Sequence, residues 1–271
     1  MSNHCVCITL DFDTFSVWSA MGQNSPTPIS RGEFGVVAAP RLLKLFETHA
    51  VPTTWFVPGI TLDTYPEVCA DINAAGHEIG HHGYDHISPA GMSREQETDQ
   101  LRRGIDAITR VSGRAPRGYR SPAWDLSENN VELLLAEGFT YDSSMMGHDY
   151  LPYRARIGDK VESGQLPTFG EPSALWELPI SWSADDFPHF EYFRGSGLTR
   201  ADDVLANWLG DYDYMTEHLD SGVMTYTLHP FVIGRGHRML MLERLLHELK
   251  ERGTEFLTAE AAVAHWAEAQ A

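Results

Sequence analysis

The strongest constraint in this chain is an alternation. Short apolar runs rich in β-branched and aromatic residues take turns with longer amphipathic runs, from CVCITLDF at the start to TEFLT near the end. That rhythm belongs to βα units wound around a parallel sheet. Strands are expected at CVCITLDF, TTWFVPG, HEIG, residues 116–120, FTYDSS, LWELPIS, VMTYTLHP and TEFLT. Helices are expected between them over about 37–49, 66–75, 93–111, 127–136, 200–219 and 237–251, with a last one ending at Trp266. Ser93 and Gln96 spell a capping box, Ser127 a helix cap and Gly138 a helix stop. Residues 19–35, rich in Gly, Pro and Ser, read as a loop long enough to be functional. Residues 145–171 and 182–197 read as irregular excursions. No repeat, low-complexity tract or linker divides the 271 residues, so 1–271 is expected to form a single α/β domain.

Polar residues able to do chemistry collect where the strands end: Asp11 and Asp13, His82 and His86, Arg120, Asp142, and His229. In a parallel βα barrel the carboxyl ends of the strands open on one mouth, where sites form. His82 and His86 sit four apart in GHEIGHHGYDH, and Gly83 lets the turn between them tighten. Two imidazoles on one side of a turn can share a divalent ion, given a third ligand; otherwise they are a pair of surface histidines. In Asp11-Phe12-Asp13, alternation puts both carboxylates on one face and Phe12 toward the core. Such a pair is costly on an inward face unless a cation neutralises it; two solvated acids are the plainer alternative.

Thirty-eight acidic against twenty basic residues give a net charge of −18, which argues against nucleic acid or an anionic membrane as partner. No secretory signal pattern precedes the first strand and no apolar stretch reaches eighteen residues, so a cytoplasmic location is expected. Three cysteines, an odd number, suit reduced thiols, and Cys5 and Cys7 read as small apolar packing in the first strand.

TLDFD (Thr9–Asp13), H-x-x-x-H (His82–His86), RSPAW (Arg120–Trp124), DSS (Asp142–Ser144) and TLHP (Thr227–Pro230) occur in that order at strand ends. Together they resemble the motifs of the polysaccharide deacetylase family, also called the NodB-homology or carbohydrate esterase family. The resemblance covers nearly the whole chain. It implies a distorted (β/α) barrel of about seven parallel strands and one divalent ion held by Asp13, His82 and His86. Zinc is the expected metal, with cobalt, nickel or manganese compatible with the same donors. It further implies Asp11 as general base, Arg120 orienting that base, the backbone N–H of Ala123 at the oxyanion, and His229 as the acid for the leaving nitrogen.

Three departures narrow the resemblance. Phe12 separates the two aspartates, Ala123 intervenes before Trp124, and Met145-Met146-Gly147 follows DSS where the family has a tryptophan. These resemble a subgroup that includes allantoinase-like and cyclic-imide-hydrolysing enzymes and one peptidoglycan deacetylase type, whose members tend to be cytosolic homotetramers. Candidate substrate contacts are Trp18, Trp124, Asp142 and Trp182. Trp18, Trp182, Phe187 and Phe190 could wall a small closed pocket, or equally be core or interface aromatics. The favoured function is metal-dependent hydrolysis of a small amide or cyclic imide. The alternatives are N-deacetylation of an N-acetylglucosamine glycan and, from another class, a catalytically silent binding protein.

Overall fold

The computed structural model describes residues 3–193, 195 and 197–270. Its strands are β1 (His4–Asp11), β2 (Thr53–Val57), β3 (Glu78–His81), β4 (Gly118–Tyr119), β5 (Tyr141–Asp142), β6 (Tyr153–Ile157), β7 (Glu171–Glu177), β8 (Gly222–Leu228) and β9 (Glu255–Phe256). They form one sheet in the order β6-β7-β5-β4-β3-β2-β1-β8, with β9 also paired to β1. All pairings are parallel except β6 against β7. The expectation of about seven parallel strands in a barrel is therefore refined. Eight strands run parallel, an antiparallel edge is added, and the sheet curls into a half-barrel that stops at β6 and β8.

β1 lies one strand in from the β8 edge, paired with β2, β8 and β9, and apart from His4 it is buried throughout. Cover on both faces explains why CVCI is continuously apolar and does not alternate with polar residues. Val6, Ile8, Leu10 and Phe12 enter the main core, whereas Cys5 and Cys7 enter a second cluster on the opposite face. The cysteines thus pack as small apolar groups and are unpaired.

The 19–35 stretch is not a loop. A short helix, Ser16–Ala20, is followed by the long helix Pro26–Thr48. Pro26 occupies the first helical position, where its missing N–H is no loss. The buried face is Gly32, Gly35, Ala38, Ala39, Leu42 and Phe46, a helical stripe made mostly of small residues. Gly32 is needed there because a methyl group would strike the Thr14 carbonyl. Residues that look like loop composition thus serve close packing.

The capping box forms as expected at the start of the helix Arg94–Ser112. The next helix, Asn130–Ala136, begins later than expected, because Ser127 Oγ donates to Glu97 and accepts from the Asn129 N–H. The first excursion contains β6 and the start of β7. In the second, Arg194 and Ser196 lie outside the described residues. No helix among the described residues is long and apolar enough to cross a membrane.

Candidate metal centre and active site

Three elements deliver the centre. β1 ends at Asp11 and runs into Asp13, whose carbonyl accepts from the Ser16 N–H and hydroxyl and from Thr61 Oγ1. With its backbone so pinned, the Asp13 carboxylate turns inward. β3 ends at His81 and leads into the turn that carries His82 and His86. His81 points the other way: its ring nitrogens meet the Leu101 carbonyl at 3.0 Å and the Gly83 N–H at 3.1 Å. It fits against the helix Arg94–Ser112 only because residue 104 is glycine. Gln100 of that helix accepts from the N–H groups of Tyr84 and Asp85, clamping the backbone between the two histidines.

Asp13, His82 and His86 converge, all buried. Asp13 Oδ1 lies 3.4 Å from Nε2 of His82 and 3.4 Å from Nε2 of His86. A tetrahedron with metal–ligand bonds of about 2.1 Å has edges of about 3.4 Å. Asp13 Oδ1 is moreover buried without a hydrogen-bond partner. An orphaned carboxylate oxygen facing two imidazole nitrogens at tetrahedral-edge distance fits a divalent cation with N/O preference. Burial alone would raise the Asp13 carboxyl; His86, His82 and His229 together hold it well below the ordinary carboxylate range. Burial pushes His86 down to about 4, leaving a neutral ring with a lone pair to give. Burial would also lower His82, but Asp11 and Asp13 outweigh it and draw positive charge to that ring. His82 Nδ1 meets the Arg120 carbonyl at 2.7 Å, which orients Nε2 toward the carboxylates.

Beside the centre, Arg120 is fully buried over the Phe56 ring. It donates to Asp11 Oδ1 and Thr9 Oγ1 at 2.8 Å each, and to the carbonyl and hydroxyl of Ser143 at 2.9 Å each. Asp11 Oδ2 receives the Trp124 indole N–H at 3.4 Å. His229, which follows β8, has Nε2 at 3.7 Å from Asp13 Oδ2, and its Nδ1 meets Asp186 Oδ1 at 2.8 Å. Burial would lower His229, yet Asp185 and Asp186 raise it well above the usual imidazole range. Asp186 also accepts the His229 N–H, and Asp185 accepts the Phe187 N–H, so these acids are engaged by protein donors.

The mouth encloses about 140 Å³. Chemical residues form its floor, and Val17, Met21, Ala123, Trp124, Trp182 and Phe187 complete the wall. Trp124 and Trp182 stack with ring centroids 4.1 Å apart. Asp11, Asp13, His82, His86, Arg120, Ala123, Trp124, Trp182 and His229 are therefore gathered as the sequence predicts. Two candidate substrate contacts are not. Trp18 is fully buried against Phe187, Phe193 and Phe231 and does not line the cavity. Asp142 is buried beneath the mouth, bonded to Ser144 Oγ at 2.7 Å. Phe190 likewise belongs to the core. Sequence reasoning missed Asp185 and Asp186, whose only signal is two adjacent acids in an irregular stretch. A single bridge between Asp185 and Thr227 brings them to the mouth.

Fold and site define a class: an α/β half-barrel with an Asp-His-His cluster able to hold a divalent ion at the carboxyl ends of its strands. Residues 7–141 match the family model described as polysaccharide deacetylase. The chain is 36% identical over 271 residues to the peptidoglycan deacetylase of Helicobacter pylori, covering 93% of this chain and 92% of that one. A Mycobacterium smegmatis crystal structure bearing the polysaccharide deacetylase name superposes with a TM-score of 0.85 at 32% identity, covering 99% of this chain and 91% of that one. Puue allantoinase shares the fold, with a TM-score of 0.79 at 23% identity over 98% of this chain and 90% of that one. The chain belongs to the polysaccharide deacetylase family. Its class of chemistry follows: metal-dependent hydrolysis of amide C–N bonds other than peptide bonds.

Proposed function

We propose that this enzyme hydrolyses a small amide or cyclic imide, with zinc bound by Asp13, His82 and His86. The observation that carries this is the size of the mouth. About 140 Å³ above the centre, roofed by stacked indoles, suits a five- or six-membered ring and falls well short of a polymer groove. When bound, the ion supplies Lewis acidity, polarising a carbonyl and acidifying water. Asp11, which lines the cavity, takes the proton of the attacking water; Arg120 fixes its carboxylate through Oδ1, and Oδ2 has only the longer contact from the Trp124 N–H. The Ala123 N–H donates to the oxyanion as the carbonyl becomes tetrahedral. His229 holds a proton on Nε2, oriented by Asp186 at Nδ1, and passes it to the departing nitrogen. Trp124, Trp182 and Phe187 exclude bulk water and hold a planar substrate.

A second reading has one observation in its favour. Trp182 is 45% exposed at the rim, where it offers a face to a sugar ring whose acetamide alone enters the cavity. Likeness to a peptidoglycan deacetylase supports the same N-acetylglucosamine deacetylase reading. Turnover of succinimide, phthalimide, hydantoin, allantoin and chitooligosaccharides with added zinc separates the two. Imide turnover with inert oligosaccharides is expected; acetate release from oligosaccharides with inert imides would overturn it.

A further inference from the structure

One buried acidic pair has no part in the chemistry above. Asp142 and Glu177 are register partners on β5 and β7, both fully buried. Glu177 Oε1 accepts the N–H groups of Ser144 and Met145 at 2.9 and 2.8 Å, and Asp142 Oδ1 accepts the Ser144 hydroxyl. The remaining oxygens, Asp142 Oδ2 and Glu177 Oε2, are buried with no hydrogen-bond partner, on residues that the β5–β7 register sets directly beside one another. Two ionised carboxylates cannot touch in such a place, because their repulsion and desolvation both oppose it. Arg120, the cation acting on Asp142, is committed to Asp11 and Ser143. One proton between the two leftover oxygens satisfies both.

The pair is wired to the site. Ser144 Oγ accepts the Ser121 N–H at 2.8 Å, anchoring the start of the turn that presents Ala123 and Trp124. Ser143, next in the chain, accepts twice from Arg120, which holds Asp11. We propose that Asp142 and Glu177 share one proton and act as a positioning pair, fixing the 143–144 turn that aims Arg120, Asp11 and the Ala123 N–H. This rests on the catalytic roles given above for those three groups. Burial supports it by raising the Asp142 carboxyl to about 6 and Glu177 well above the carboxylate range; Tyr119 and Tyr153 also face the pair.

Glu177→Gln keeps the carbonyl that accepts from Ser144 and Met145, supplies an amide N–H in place of the shared proton, and conserves charge. Glu177→Ala removes the clamp. The zinc-loaded full chain is expected to keep kcat within about twofold in Glu177→Gln. In Glu177→Ala kcat falls about tenfold or more, with KM and zinc content unchanged. The wild-type minus Glu177→Gln infrared difference spectrum at pH 7 is expected to show a carboxylic-acid carbonyl stretch that shifts in D2O. Absence of that band from the difference spectrum overturns the shared proton whatever the substrate proves to be. Wild-type kcat in folded Glu177→Ala overturns the positioning role. Should Glu177→Ala not fold, a Glu177→Gln variant that is folded, zinc-loaded and slowed tenfold overturns it equally. A wild type inert toward every amide would sink the catalytic reading alone, since the infrared result stands apart from turnover.

Discussion

Replacing Arg120 with methionine tests how the site is held. Methionine nearly refills the arginine stem, so little cavity results and the loss is mostly polar. Four hydrogen bonds vanish: two to Ser143, one to Thr9 and one to Asp11. Asp11 is left as a buried acid without its cation, a change that costs about 3–5 kcal/mol in comparable pairs. Stranding the Ser143 acceptors adds about 1–3 kcal/mol, part of which local relaxation recovers. A net loss of about 5 kcal/mol corresponds to a fall in Tm of the order of 10 °C for a chain of this size. Arg120→Lys restores a cation for Asp11 but not the forked contacts to Ser143, so about 2 kcal/mol is expected. The assay is thermal unfolding of chelated protein, paired with kcat of the zinc-loaded form, which should fall about a hundredfold in Arg120→Met. An Arg120→Met protein within about 1 kcal/mol of wild type would refute the assignment of Arg120 as the buried brace.

Three further outcomes are expected. Zinc at a thousandfold above its Kd should add about 4 kcal/mol to the chelated protein, or roughly 10 °C in Tm, and Asp13→Ala should abolish the shift; an unchanged scan removes the metal centre. Gly104→Ala would add about 1 kcal/mol at an open helical site, but here the methyl lands on the His81 ring, so a loss of about 1–3 kcal/mol and weaker zinc binding by titration are expected; a stabilised variant contradicts the packing. Glu177 keeps its proton in the fold while the unfolded chain releases it near the ordinary value of 4.5, so folding stability drains away as pH rises above that point. Relative to wild type, Glu177→Gln should gain stability steadily as pH rises above 4.5, read by urea unfolding between pH 4.5 and 7; parallel curves for the two proteins would exclude the linkage.

Much of the centre was legible because its signals are local. Asp11 and Asp13 share a face by strand alternation, and His82 and His86 share a turn, so a few residues of sequence carry each relation. What failed was orientation where the element type had been misread. Val17 and Met21, four apart on the helix Ser16–Ala20 and its end, line the cavity, whereas Trp18, one residue on, turns by about 100° into the core. The loop expected over 19–35 hid the helix that begins at Ser16, and with it the direction in which Trp18 turns. Asp142 shows the corresponding limit for strands. Its position at a strand end was right, but β7 brings Glu177 beside it, and no local pattern announces a register partner 35 residues away. Asp185 and Asp186 depend on one long-range bridge to β8, which hydrophobic periodicity cannot encode.

Backbone strain is concentrated where the chemistry is. Of the six described non-glycine residues with positive φ, four adjoin the centre: Thr14, His86, Ala123 and Trp124. Each such conformation costs of the order of 1–3 kcal/mol and persists only when its surroundings dictate it. Thr14 is held by Thr61, the turn before His86 by Gln100, and the 121–124 turn by Ser144 from beneath. The braces come from three different parts of the chain, and each fixes a group to which the proposed function gives a role: the Asp13 carboxylate, the His86 imidazole and the Ala123 N–H. Relaxed turns would leave these groups to find their geometry at each turnover. Fixing them during folding moves that ordering cost out of the reaction, which explains why so much buried polar structure lies beneath so small a cavity.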